Sequence, residues 1–183
     1  MKRLFVGLPI PVEVQNTLQQ LPPNLGGALW KGPEKYHLTL YFVGNVNEMV
    51  AQEVERELSY VRFPAFFMSL KEIGYFENSD IPHHLWTGVF PDKALRELQK
   101  KVANAVRRAG ADGQDKFKFH PHVTLAKLVG AGLSDVLHYI EQNNLYHSPE
   151  WQVGSFCLFE SHAKENGEGK YYTILREYPL SLI

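Results

Sequence analysis

The chain has a single cysteine among 183 residues, which excludes an internal disulfide and suits a reducing cytoplasm. Cys157 then reads as a small buried apolar residue. Neither sign of charge is in excess: 19 Lys and Arg against 20 Asp and Glu leave a formal net charge of -1. That excludes the strongly basic surface with which a protein coats long nucleic acid, but not the binding of one nucleotide or one strand end. No apolar run approaches membrane-spanning length. Leu4 to Leu8 is too short for a signal-peptide core and is soon followed by Pro9 and Pro11. A disordered composition is also missing, since 44% hydrophobic residues support a real core. The expectation is one compact domain or two closely joined lobes, cytoplasmic, with no membrane attachment and no obligate protein partner in evidence.

What is present centres on Tyr36-His37-Leu38-Thr39-Leu40-Tyr41-Phe42, which reads as a strand closed by Gly44. Alternation puts His37 and Thr39 on one face and Leu38 and Leu40 on the other. The pattern returns as His120-Pro121-His122-Val123-Thr124-Leu125, with His122 and Thr124 sharing a face. With 8 His and five Thr in the chain, chance predicts roughly 0.2 His-x-Thr pairs. Two, both followed by Leu in strand-like contexts, make a motif.

The elements around the two motifs also recur. A strand at Leu4–Leu8 precedes a helix from Pro11 with Val14, Leu18 and Leu21 on one side; a loop follows over Pro22–Gly27. After the first His strand, Asn47 caps a helix through Val50, Val54, Leu58 and Val61, and residues 65–73 form a strand. Gly74 to His83, polar and containing Pro82, reads as a divider. Leu85-Trp86-Thr87-Gly88-Val89 then echoes Leu4-Phe5-Val6-Gly7-Leu8 at an offset of 81, making Phe5 and Trp86 equivalent. A helix through Leu95, Leu98, Val102 and Ala105 follows. The second His strand lies 85 residues after the first, and a helix through Leu133, Val136, Leu137 and Ile140, capped by Ser134, comes next. Val153–Leu158 echoes Phe67–Glu72 at 86, and Tyr171–Leu175 adds a last strand ended by Pro179. We read an internal duplication of a strand-helix-strand-helix-strand unit. The expected α/β (α+β) fold is bilobal with pseudo-twofold symmetry, two sheets facing a central cleft and helices on the outer faces. The lobes are roughly 1–80 and 81–183 of a single domain, with terminal strands able to cross between them.

Two imidazoles, each with a hydroxyl beside it, suit acid–base work on a phosphate ester. Histidine titrates near working pH, so a neutral ring can accept a proton from water and a charged ring can donate one to a leaving oxygen. The Thr39 and Thr124 hydroxyls can donate to phosphate oxygens. The near symmetry of the motifs leaves open which His does which. His120 and His122 share a face, but zinc sites recruit further His, Cys or carboxylate ligands and none stands nearby, so no metal and no cofactor is expected.

The paired His-Leu-Thr-Leu and His-Val-Thr-Leu resemble the signature of the 2H phosphoesterases. The chain is more closely similar to the RNA 2′,3′-cyclic phosphodiesterases, also called 2′-5′ RNA ligases. The likeness runs from Arg3-Leu4-Phe5 and Pro9, through Leu85-Trp86-Thr87-Gly88 and Phe119 to Leu125, to Phe156–Ser161, Tyr172 and Pro179-Leu180. It implies the bilobal fold and hydrolysis of 2′,3′-cyclic phosphate at RNA ends to a 2′-phosphomonoester, with reversible 2′-5′ ligation. It also implies His37 as proton donor and His122 as acceptor, with Thr39, Thr124, Lys127 and Phe5 on the substrate. Two departures stand out. Lys127 occupies a place where the family usually has Arg, and His83 and His84 stand where a basic residue often precedes the Trp strand. Lys127 lacks the flat fork of a guanidinium, which bears on substrate preference. The alternatives are small nucleotide cyclic phosphates or 2′-5′ oligonucleotides as substrates, and a non-catalytic nucleotide- or RNA-end-binding module; intact His and Thr in both motifs disfavour the last.

Overall fold

In the computed structural model, residues 1–111, 118–164 and 169–181 are described. The elements run β1 (Lys2–Pro9), α1 (Val12–Leu18), β2 (Ala28–Trp30), a 3-10 turn (Pro33–Lys35), β3 (His37–Val46), α2 (Glu48–Ser59), β4 (Phe66–Asn78), β5 (Ile81–Phe90), α3 (Lys93–Arg108), β6 (His122–Leu128), α4 (Leu133–Asn143), β7 (Trp151–Val153), β8 (Ser155–Ala163) and β9 (Lys170–Pro179). Local chemistry accounts for most of them. Asn47 caps α2 by accepting from the Val50 N–H at 2.9 Å. Leu95, Leu98, Val102 and Val106 bury one face of α3 completely.

The strands form one antiparallel array in the order β7-β4-β5-β6-β3-β1-β8-β9, with β2 also on β6. Its two arms meet where β3 and β6 touch at one residue pair, Leu38 with Val123. Both side chains are fully buried in a core shared by the two arms. The helices cover this face: α2 packs on α3, α3 on β3, and α4 on β4. His37, Thr39, His122 and Thr124 flank the touching pair and point to the opposite, helix-free face, as strand alternation requires. β4, which follows α2, pairs with β5, and β8, which follows α4, pairs with β1. Each arm therefore combines strands from both ends of the chain.

Several expectations are corrected. Gly74 to His83 is a hairpin, not a divider: Asn78 pairs with Ile81, and Ser79 and Asp80 turn the chain at φ 50° and 62°. The usual Asn-Gly or Asp-Gly signal for that left-handed pair is absent here. The stretch between Gly27 and the first His strand, where the sequence suggested no element, contains β2, held against β6. Gly132, not Ser134, precedes α4, and Leu133 and Leu137 are exposed while Val136 and Tyr139 are buried. Register also overturns the equivalence of Phe5 and Trp86. Thr39 pairs with Gly7 and Thr124 with Trp86, so Phe5 matches His84 and Gly7 matches Trp86.

Leu38 is the residue through which the two arms touch. Leu38→Ala should cost about 2–5 kcal/mol of stability, read from urea denaturation.

Candidate active site

Each catalytic candidate is oriented by its own strand entry. His37 Nδ1 lies 2.8 Å from the Lys35 carbonyl, and His122 Nδ1 lies 2.7 Å from the His120 carbonyl. A carbonyl only accepts, so in both rings Nδ1 carries the proton and donates it. That leaves each Nε2 free for the cleft. The surroundings differ in detail. His37 rests 4.9 Å from the Phe5 ring and 4.9 Å from Tyr172, which meets it edge-on. His122 meets Phe76 edge-on at 4.8 Å, with Trp86 at 6.3 Å.

Burial pushes His37 down to about 4, with the Lys31 charge adding to the shift and the hydrogen bond to the Lys35 carbonyl opposing it. Burial also lowers His122, opposed by its bond to the His120 carbonyl. His84, in contact with His83, goes to about 4 through burial, the charge of His83 and that of Lys31.

A cavity of about 390 Å³ joins these groups. Both His-x-Thr pairs line it, together with Arg3, Phe5, Lys31, His84 and Tyr172. No carboxylate is among its described lining residues. A second cavity of about 510 Å³ shares Thr39, Phe42, Phe76 and His122 with it and extends to Phe119 and Gln99. Among the described residues no three His, Cys, Asp or Glu side chains group as a metal site would. No helix among them is long and apolar enough to cross a membrane.

His37, Thr39, His122 and Thr124 thus come together around one strand contact. Phe5 borders the cavity but is 3% exposed and stacks on Phe159 at 4.9 Å, a wall more than a platform. Lys127 is exposed and stands beyond the residues that line either cavity, near enough to His84 to weigh on its charge. Sequence reasoning assigned none of Lys31, Phe42, Phe76 and His84 to the site, although it marked His84 as a departure from the family pattern. Lys31 lay between Gly27 and the first His strand, where the sequence suggested no element, and Phe76 in the stretch read as divider. Phe42 has the parity of Leu38 and Leu40, but β3 bulges: Val6 pairs with Tyr41 and Gly7 with Thr39, which turns Phe42 to the His face. A bulge at Leu125 does the same for Lys127 in β6.

A bilobal antiparallel array with two opposed His-x-Thr strands defines a phosphoesterase-type scaffold. Escherichia coli LigT in its apo form shares the fold, with a TM-score of 0.77 at 22% identity and 98% of each chain covered. The family model for the 2′-5′ RNA ligase superfamily matches residues 11–165, and the chain belongs to that superfamily as an enzyme. Two curated relatives are named RNA 2′,3′-cyclic phosphodiesterase. That of Aquifex aeolicus is 28% identical over 97% of each chain. That of Aeropyrum pernix is 38% identical over 99 residues, 54% of this chain and 56% of that one.

Because His37 titrates near 6.5 when unfolded and about 4 when folded, the unfolded chain binds its proton first. The stability present above pH 6.5 is therefore lost as pH falls through about 4. Melting temperatures between pH 7 and 4 should fall more steeply for the wild type than for His37→Gln.

Proposed function

We propose that this chain hydrolyses 2′,3′-cyclic phosphodiester ends of RNA to 2′-phosphomonoesters, by general acid–base catalysis with two histidines and without a metal. The observation that carries this reading is the matched pair of imidazoles. Each is fixed as its Nδ1–H tautomer by a backbone carbonyl, and each lines one cavity with a threonine two residues along.

Water attacks phosphorus and gives its proton to Nε2 of His122. The P–O3′ bond breaks on the far side, and O3′ takes a proton from Nε2 of His37. The new bond is P–O to water, and the 2′ ester is kept. Burial lowers both rings, and the order of His37 as donor and His122 as acceptor follows the likeness of the two motifs to the family signature. Thr39 and Thr124 donate to the non-bridging oxygens, where charge gathers in the transition state. With the 5′-hydroxyl of a second RNA in place of water, the same displacement forms a P–O5′ bond, breaks P–O3′ and joins the ends 2′-5′ with no triphosphate consumed.

The RNA end lies along the apolar second cavity. Phe42 is 55% exposed at the boundary of both cavities and offers a ring to the terminal base. Phe5 backs His37, and Lys127 stands where the continuing strand would meet positive charge. The single buried Cys157 supports a cytoplasmic setting. The chain is read as one domain of two repeats, roughly 1–80 and 81–183, whose third strands β4 and β8 are exchanged.

Purified protein incubated with a 2′,3′-cyclic nucleotide should yield the 2′-phosphate, and activity should survive exhaustive chelation; zinc- or manganese-dependent recovery after EDTA would reject the metal-free mechanism. His37→Ala and His122→Ala should each lower kcat by about 10²–10⁴-fold, and the double variant should lose less than the product. Kinetics on an RNA end should show Phe42→Ala raising KM with kcat little changed, by the equivalent of about 1–3 kcal/mol for one stacked base.

A further inference from the structure

Lys31 is a cation in a cavity with no carboxylate among its described lining residues. It follows Trp30, the last residue of β2, and its N–H donates to the Leu125 carbonyl at 2.8 Å. This bond sets it beside the second motif, one residue from Thr124 along β6. Its side chain is half-buried and lines the same cavity as His37, Thr39, His122 and Thr124. Among the described residues its ammonium has neither an ion pair nor a hydrogen-bond partner, whereas Lys2 reaches Glu48 at 3.1 Å.

The groups that face the same cavity do not compensate it. Arg3 comes from β1, His37 from β3, His84 from β5, His122 from β6, and Lys170 and Tyr172 from β9. All are cationic or neutral at pH 7. An ammonium drawn partly out of water with no opposite charge is costly to the folded state. Burial, and then the charge of Lys35, lowers the pKa of Lys31 accordingly. Its charge is felt in turn by His37, His84 and His122. Such an arrangement is complete only when a ligand brings the missing anion.

We propose that Lys31 is the phosphate anchor of this cleft. Its ammonium holds a non-bridging oxygen of the bound phosphodiester, alongside the two threonine hydroxyls. This inference rests on the phosphodiesterase reading above and adds a residue to it. It also explains how a donor imidazole becomes charged in a site that keeps it neutral when empty. The bound anion offsets the field of Lys31, so a ring that resists protonation in the empty cleft accepts a proton once the phosphate is in place.

The test compares wild type, Lys31→Met and Lys31→Arg. Inorganic phosphate and adenosine 2′-phosphate are titrated at pH 7 by calorimetry, and the His37 and His122 ring signals are followed against pH by NMR. Lys31→Met should weaken phosphate binding by about tenfold or more, the loss of one charge-assisted hydrogen bond, and Lys31→Arg should recover most of it. In the ligand-free Met variant both imidazoles should titrate at higher pH than in the wild type. Both limbs of the pH profile of kcat/KM should move upward with them. Unchanged phosphate affinity in Lys31→Met overturns the anchor, and so does an equal loss in Met and Arg variants, which would mark damage to the fold. If the wild type fails to hydrolyse a 2′,3′-cyclic nucleotide while phosphate affinity still depends on Lys31, the anchor stands and the hydrolytic reading falls.

Discussion

One strand contact governs the rest. β3 and β6 meet at Leu38 and Val123 alone, and both side chains are buried to the last few square ångströms. Strand alternation then puts the four neighbours, two histidines and two threonines, on the reverse face. The core side of the contact is apolar packing and its cleft side is chemistry. The proposed catalytic constellation is therefore positioned by backbone, not by loops, and small errors of placement are suppressed by the same hydrophobic burial that stabilises the chain.

The charge pattern of the cleft has a related logic. Its described lining includes imidazoles, hydroxyls, two ammonium groups and a guanidinium, and no carboxylate. A carboxylate among them would neutralise Lys31 and raise the imidazole pKa values, leaving an empty site already satisfied. Without one, positive potential remains for a phosphate to fill. The aromatic side walls, Phe5 and Tyr172 on one arm and Phe76 and Trp86 on the other, deepen the effect by excluding water around each ring.

How much of this was legible in the sequence depends on periodicity. The motif histidines and threonines were legible because strand parity held between them and their apolar neighbours. The helices after Pro11 and Asn47, and the one through Leu95, were legible because their buried stripes recur at helical spacing. Phe42 and Lys127 could not be placed by parity, since a bulge in each motif strand shifts the alternation by one residue. The hairpin over Phe66–Phe90 was hidden by its Ser79-Asp80 turn, whose left-handed backbone uses residues that carry only a weak turn signal. Lys31 was invisible because its role comes from three residues of β2 lying against β6, a contact about a hundred residues distant in sequence with no local pattern to announce it. The pairing of Phe5 with Trp86 failed for the opposite reason. A plausible likeness of strand sequence gave one offset, and hydrogen-bond register gave another.

The exchange of strands between the two arms has a consequence for how the molecule comes into being. β1, at the start of the chain, lies between β3 and β8, and the wall around His37 is completed by Phe159 and Tyr172 from its far end. A nascent chain that has emerged only as far as β6 already carries both histidines, yet it lacks half the enclosure of the first one. Its imidazole would sit in water, with an ordinary proton affinity and nothing to hold it against a phosphate. The surroundings that lower the proton affinity of His37 are thus complete only when the last strands close around the first.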